Sequence, residues 1–171
     1  TDDNLIFNPS GKAGQCKTIE THHVVIPRAE PGDNIGFNVK GVARQDISRG
    51  EVAGHPDNPP TIAKEFVGRI IVVHHPTAIA AGYTPVLHAH TVTMAVTLTE
   101  LLQKIDARTG QVTEEKPQFL RTGDSALVKM RPVRPVVLEE YANIPQLGRF
   151  AIRDMGSTVG VGVVQQITEK G

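Results

Sequence analysis

The sequence has one cysteine and no tryptophan among its 171 residues, and aromatic residues make up only 4% of it. A lone Cys16 leaves no internal disulfide framework and fits a reducing compartment, so cytoplasm is the default expectation. Hydrophobic residues reach 39% and charged residues 21%, which suits a globular chain rather than a disordered one. No apolar run approaches the roughly 20 residues that a membrane helix needs, so no membrane partner is expected. Thr1-Asp2-Asp3-Asn4 shows neither the basic region nor the apolar stretch of a signal peptide. Net charge is missing too: 18 Lys and Arg balance 18 Asp and Glu. Composition therefore does not announce nucleic-acid binding, although it leaves room for a local basic face. Between residues 121 and 153, Arg121, Lys129, Arg131, Arg134, Arg149 and Arg153 outnumber Asp124, Glu139 and Glu140. Arg149 and Arg153 share a strand face and are the candidates for such a surface, with barrel-edge ion pairs as the alternative.

Catalytic motifs are missing as well. No Gly-x-Ser-x-Gly elbow is present, and nothing around Cys16 activates a thiol. The carboxylate doublets Asp2-Asp3, Glu114-Glu115 and Glu139-Glu140 would point to opposite faces of a strand, so none forms an acid–base pair. A P-loop surrounds phosphate with backbone amides and a lysine, in the order Gly-x-x-x-x-Gly-Lys-Ser/Thr. Gly11-Lys12-Ala13-Gly14 does not supply that order, so the chain is expected to bind no nucleotide in that manner and not to be an enzyme as it stands. Seven histidines raise the question of metal. His22-His23 and His74-His75 are adjacent and would face apart, whereas His88 and His90 read as sharing a strand face. With no further thiol to complete a zinc site, no metal is expected.

What is present is strand-like. Val, Ile and Thr recur in short runs punctuated by 16 Gly and 12 Pro. Residues 34–39 alternate polar and apolar after a Pro31-Gly32-Asp33 turn signal; residues 66–73 read as a buried strand stopped by Pro76; residues 86–98 alternate again. Residues 125–130, 149–152 and 159–164 continue the pattern. One segment differs: residues 98–108 place Leu98, Leu101, Leu102 and Ile105 at helical spacing, which predicts at most a short helix between Leu98 and Arg108. Gly54-His55-Pro56-Asp57-Asn58-Pro59-Pro60 reads as an extended, unpaired linker. The expected architecture is all-β, with two antiparallel β-barrels over residues 1–58 and 59–171, the first too short to be complete.

Three stretches carry a specific resemblance. Pro31-Gly32-Asp33-Asn34-Ile35-Gly36-Phe37-Asn38-Val39-Lys40-Gly41 is followed by Asp46-Ile47-Ser48-Arg49-Gly50-Glu51-Val52-Ala53-Gly54. His75-Pro76 leads through Ala81-Gly82-Tyr83-Thr84-Pro85-Val86-Leu87 to His90-Thr91. Leu147-Gly148-Arg149-Phe150-Ala151-Ile152-Arg153-Asp154-Met155 precedes Thr158-Val159-Gly160-Val161-Gly162. In order and spacing these resemble the elongation factor 1-alpha family, relatives of elongation factor Tu, over nearly the whole chain and in the archaeal form.

The resemblance implies a GTPase domain followed by two β-barrels. Residues 1–58 would be the back part of the second barrel and residues 59–171 the complete third, with the GTPase domain, its GTP and its Mg absent from this stretch. It implies binding of aminoacyl-tRNA and delivery to the ribosome, with the second barrel near the aminoacylated end and the third on the T-stem. Carried over by position, Asp46 and Arg49 would lie near the terminal adenosine. His75, Tyr83, Thr84 and Val86 would form one T-stem-facing stretch, and Asp154, Met155 and Gly156 another. Further partners implied are the factor's own GTPase domain, a nucleotide-exchange factor, and release or surveillance factors. A protein-docking module of a release-factor-type or ribosome-rescue paralogue is the alternative. Bacterial relatives carry Arg, Gln and Lys where this chain has Thr84, Val86 and Glu140, and a Gly-Gly turn where it has Met155-Gly156, so those contacts do not transfer.

Overall fold

The computed structural model describes residues 1–171 and contains thirteen strands, two short 3-10 turns and no α-helix. It divides into two units, Thr1–Pro60 and Thr61–Gly171.

The first unit holds β1 (Asn4–Asn8), β2 (Lys12–Thr21), β3 (Val24–Ile26), β4 (Gly36–Lys40) and β5 (Val52–Gly54). The sheet runs β3-β2-β1-β5, with β4 also paired to β2, and its ends stay open. Only Phe7, Cys16 and Ile19 are buried apolar side chains here, and the Phe7 and Phe37 rings stack at 6.2 Å. Residues 54–60, expected to be extended and unpaired, instead begin in β5 and turn at 55–58, where Asn58 N–H donates to His55 O at 3.0 Å. Asn8 then fastens the end of that segment by donating from Nδ2 to Pro60 O at 2.8 Å.

The second unit holds β6 (Ile62–Val72), β7 (Val86–Ala89), β8 (Val92–Ile105), β9 (Val112–Glu115), β10 (Ser125–Pro132), β11 (Val136–Val137), β12 (Arg149–Asp154) and β13 (Ser157–Lys170). The strand path is β10-β6-β13-β12-β7-β8-β9, and β10 also pairs with β8. That extra pairing closes a ring of β10, β6, β13, β12, β7 and β8, so every ring strand has both edges hydrogen-bonded. Alternation along the ring strands sends Phe66, Ile70, Leu87, Leu98, Val128 and Ile152 into one core, each with no exposed surface. Each such side chain contributes about 1.5–3 kcal/mol by burial. Phe66 meets Phe150 edge to face at 5.6 Å.

Two sequence expectations are corrected here. The segment with helical spacing is strand β8 as far as Ile105, followed by a turn in which the Asp106 carboxylate accepts from the N–H groups of Arg108 and Thr109. Two bulges explain the misleading period. Lys129 and Met130 face Glu100 and Leu98, skipping Thr99, while Leu127 and Val128 face Gln103 and Leu101, skipping Leu102. Each extra residue resets the alternation, so Leu98 and Leu101 are both buried although three positions apart. The second correction concerns residues 86–98, which are not one strand. They form the β7–β8 hairpin, turned at His90 with φ of 37°, and Ala89 pairs with Val92.

Candidate nucleic-acid interface

The Gly82–Pro85 region is an irregular segment held against β8 by main-chain bonds. Gly82 N–H donates to Leu98 O, Leu98 N–H to Tyr83 O, and Val96 N–H to Pro85 O. Gly82 has φ of 95°, a conformation that costs glycine nothing and other residues about 1–2 kcal/mol. Tyr83 is thereby pinned by its backbone on both sides, and its phenol donates to Asp154 Oδ2 at 2.9 Å. The His75 ring lies edge to face on Tyr83, with centroids 5.2 Å apart. Three residues drawn from two stretches of sequence thus converge.

Burial, then the hydrogen bond to Asp154, then that carboxylate's charge hold the Tyr83 phenol well above the ordinary tyrosine range. It stays a neutral donor at physiological pH. Asp154 keeps its second oxygen free of partners within the chain, able to accept from a hydroxyl. Met155 and Gly156, both at positive φ, form the tight turn between β12 and β13, and Met155 is 76% exposed. Arg153 donates from Nη2 to Gly156 O at 3.2 Å, which ties its guanidinium to that turn. In the ladder Arg153 pairs with Val86 of β7, so the Tyr83 loop and the Met155 turn are joined by backbone registry.

His75 is fixed from three directions. Its N–H donates to Thr122 Oγ1 at 3.0 Å, and Thr122 Oγ1 donates back to His75 O at 3.3 Å. Its Nδ1 lies 2.8 Å from Thr77 O. Thr122 belongs to the loop before β10, which sequence reasoning did not connect with His75. The Thr84 hydroxyl is occupied locally, 3.1 Å from Gly82 O and 3.2 Å from Thr97 Oγ1.

Asp46 and Arg49 belong to the first unit, and Arg149 begins the strand that Asp154 ends. Asp46 ends the 3-10 turn Arg44–Asp46, where its carboxylate accepts from Ala43 N–H at 3.0 Å. Asp46 and Arg49 form no ion pair. Arg149 and Arg153 share the outer face of β12, but Arg149 has a different neighbour. It pairs with Val163, which in turn pairs with Arg69, and the two arginines border an open apolar face with Ile71 and Val161. Arg69 was missed because its partnership depends on a strand eighty and more residues away in sequence.

His88 and His90, read as sharing a face, do not. His88 Nδ1 lies 3.4 Å from Thr93 Oγ1, whereas His90 sits in the hairpin turn with Nε2 2.9 Å from Val137 O. No group of three or more His, Cys, Asp or Glu side chains is placed to hold a metal ion. Gly11 lies in the β1–β2 turn and Lys12 begins β2, so this glycine-lysine pair leads into a strand and not into a helix N-terminus. No helix is long and apolar enough to cross a membrane.

Comparison with known proteins agrees with this architecture. Residues 65–165 match the family described as GTP-eEF1A C-terminal domain-like. An elongation factor 1-alpha from Methanocaldococcus jannaschii is 60% identical over 168 residues, 98% of this chain and 39% of that protein. Another, from Thermofilum pendens, is 62% identical over 162 residues, 95% of this chain and 37% of its own length. Among solved structures, sup35 complexed with GDP superposes with a TM-score of 0.91 at 27% identity, covering 99% of this chain and 41% of the other. The chain therefore spans about two fifths of the proteins it matches.

Proposed function

We propose, given that the chain belongs to the GTP-eEF1A C-terminal domain-like family, that it is the tRNA-holding part of a translation elongation factor. In this reading Thr1–Pro60 is part of the second barrel and Thr61–Gly171 the third. GTP, Mg and the GTPase chemistry would belong to the remainder of a longer factor, which carries aminoacyl-tRNA to the ribosome in the cytoplasm. The carrying observation is the convergence of His75, Tyr83 and Asp154 beside the Met155-Gly156 turn.

That surface suits the shallow groove of A-form RNA, which displays 2′-hydroxyls and phosphates rather than a readable base code. The free Asp154 oxygen accepts from a ribose hydroxyl. The Met155-Gly156 turn, held by Arg153, lets RNA backbone approach closely. Few base contacts are needed, which fits a carrier of many tRNAs. Asp46 and Arg49 would add contacts near the aminoacylated end. Titration of the chain with aminoacylated and deacylated elongator tRNA at two salt concentrations tests the proposal. Saturable binding that weakens with salt is expected; no binding by a folded chain would overturn it.

A second reading rests on the face bordered by Arg69 and Arg149, where Ile71 and Val161 are 45% and 44% exposed. An apolar floor with arginines at its rim suits a protein surface. The factor's own GTPase domain, a nucleotide-exchange factor, or a release or surveillance factor would be the occupant. Replacing Val161 by Glu would then weaken such docking and leave tRNA binding unchanged.

A further inference from the structure

We infer that Arg121 adds a phosphate-binding guanidinium to the tRNA site, on a third loop that Thr122 fastens to His75. This inference rests on the RNA-binding reading above and extends it to a residue outside both stretches implied by the resemblance.

A groove of about 400 Å³ is lined by His75, Pro76, Thr77, Ala78, Arg121 and Thr122. Its wall carries a guanidinium, an imidazole and two hydroxyls, and no carboxylate, which is the chemistry of a site for anionic oxygen. The loop is built to leave that guanidinium unspent. Asp124, the nearest acid in sequence, accepts from the Arg121 backbone N–H at 2.7 Å and faces the Lys104 ammonium at 3.4 Å. Asp124 thus orders the Arg121 backbone and turns to Lys104, which it shares with Glu114 at 3.4 Å, rather than to the Arg121 guanidinium. None of the ion pairs in the structure includes Arg121.

Position is fixed as well as charge. The paired Thr122–His75 bonds, with Thr122 Oγ1 accepting at 3.0 Å and donating at 3.3 Å, lock the two loops at adjacent residues. His75 contacts Tyr83, and Tyr83 contacts Asp154. Arg121, His75, Tyr83 and Asp154 therefore form one continuous strip. An RNA backbone following it would meet a hydroxyl acceptor at Asp154 and a cation at Arg121. A planar guanidinium takes a phosphodiester through two parallel N–H bonds, a geometry that lysine reproduces only as a point charge.

The test is binding of elongator tRNA to the full chain and to Arg121→Gln, Arg121→Lys and Lys64→Gln, each across a salt series. Lys64 is exposed near the start of β6, at the far end of that strand from Val72, whose O accepts from Gly123 N–H of the Arg121 loop, so it serves as a charge-matched control. For Arg121→Gln, affinity should fall on the order of tenfold at low salt and the slope of log K against log salt should shrink by about 1. Arg121→Lys should keep the slope, and Lys64→Gln should change neither quantity. If the parent chain binds and Arg121→Gln matches it in affinity and slope, this inference falls and the RNA-binding reading stands. Equal losses in Arg121→Gln and Lys64→Gln would also overturn it, as a general charge effect. If the folded parent binds no tRNA, both fall together. The Arg121 side chain makes no bond within the fold, so circular dichroism should show all variants folded.

Discussion

The two units use the same strand chemistry and reach different ends. In Thr61–Gly171 the β8–β10 pairing closes the ring, every ring strand has two neighbours, and one apolar core fills the interior. In Thr1–Pro60 the sheet stays open, with β3 and β5 at the ends of its main path and Val24 and Val25 exposed at 61% and 65%. The contrast is one of closure within this stretch of chain: an open edge leaves amides unpaired and apolar faces wet.

The strongest way to break this comparison is to cut into each core. Phe66→Ala should cost the second unit about 3–5 kcal/mol, read by chemical denaturation. Phe37→Ala, at a ring already 41% exposed, should cost the first unit about 1 kcal/mol. Amide exchange sharpens the point: β2 should exchange well before β6, and equal protection of the two would abolish the distinction.

Next in size is Gly162→Ala. A Cβ there would sit 2.7 Å from Arg69 O and 2.9 Å from Phe150 Cζ, so overpacking should cost about 1–3 kcal/mol and lower the melting point. Tyr83→Phe removes a partly buried bond to a carboxylate and should cost about 1.5 kcal/mol. The same variant has a pH signature. The folded state holds the Tyr83 pKa above its ordinary 10.0, so this stabilisation is complete below that pH and is lost as pH rises beyond it. Melting temperatures measured from neutral to alkaline pH should fall more steeply for the parent than for Tyr83→Phe. The smallest effect runs in the opposite direction. Met155→Asn places a residue that tolerates positive φ where Met155 has 49°, and should stabilise the second unit by about 0.5–1 kcal/mol.

The all-β class and most strands were legible because alternation and turn residues are local signals. Residues 66–73 and 125–130 announced themselves by their apolar side chains, as the cores of strands that run 62–72 and 125–132, and the Pro31-Gly32 turn by its composition. Bulges and pairings between distant strands were not legible. The skipped residues Thr99 and Leu102 made β8 look helical, since a period is meaningful only while the register is unbroken. His88 and His90 read as sharing one face because nothing in Ala89-His90-Thr91 advertises a hairpin; the turn forms where Ala89 of β7 pairs with Val92 of β8. At the site, Tyr83 and Asp154 were named separately through resemblance, but their contact spans 71 positions. The Thr122–His75 clasp spans 47 and had no local mark at all.

Ring closure between β8 and β10 leaves β9 outside the circuit. All four residues of Val112–Glu115 are exposed, and the turn leading to it ends at Gly110 with φ of 75°. This hairpin is therefore an appendage to the ring and can be lengthened or labelled independently of it. Residues inserted at Gly110 would add only the slow logarithmic entropy of a longer loop, about 0.6 kcal/mol per doubling. A fluorophore or affinity tag placed there would report on the barrel without interrupting a single ring pairing.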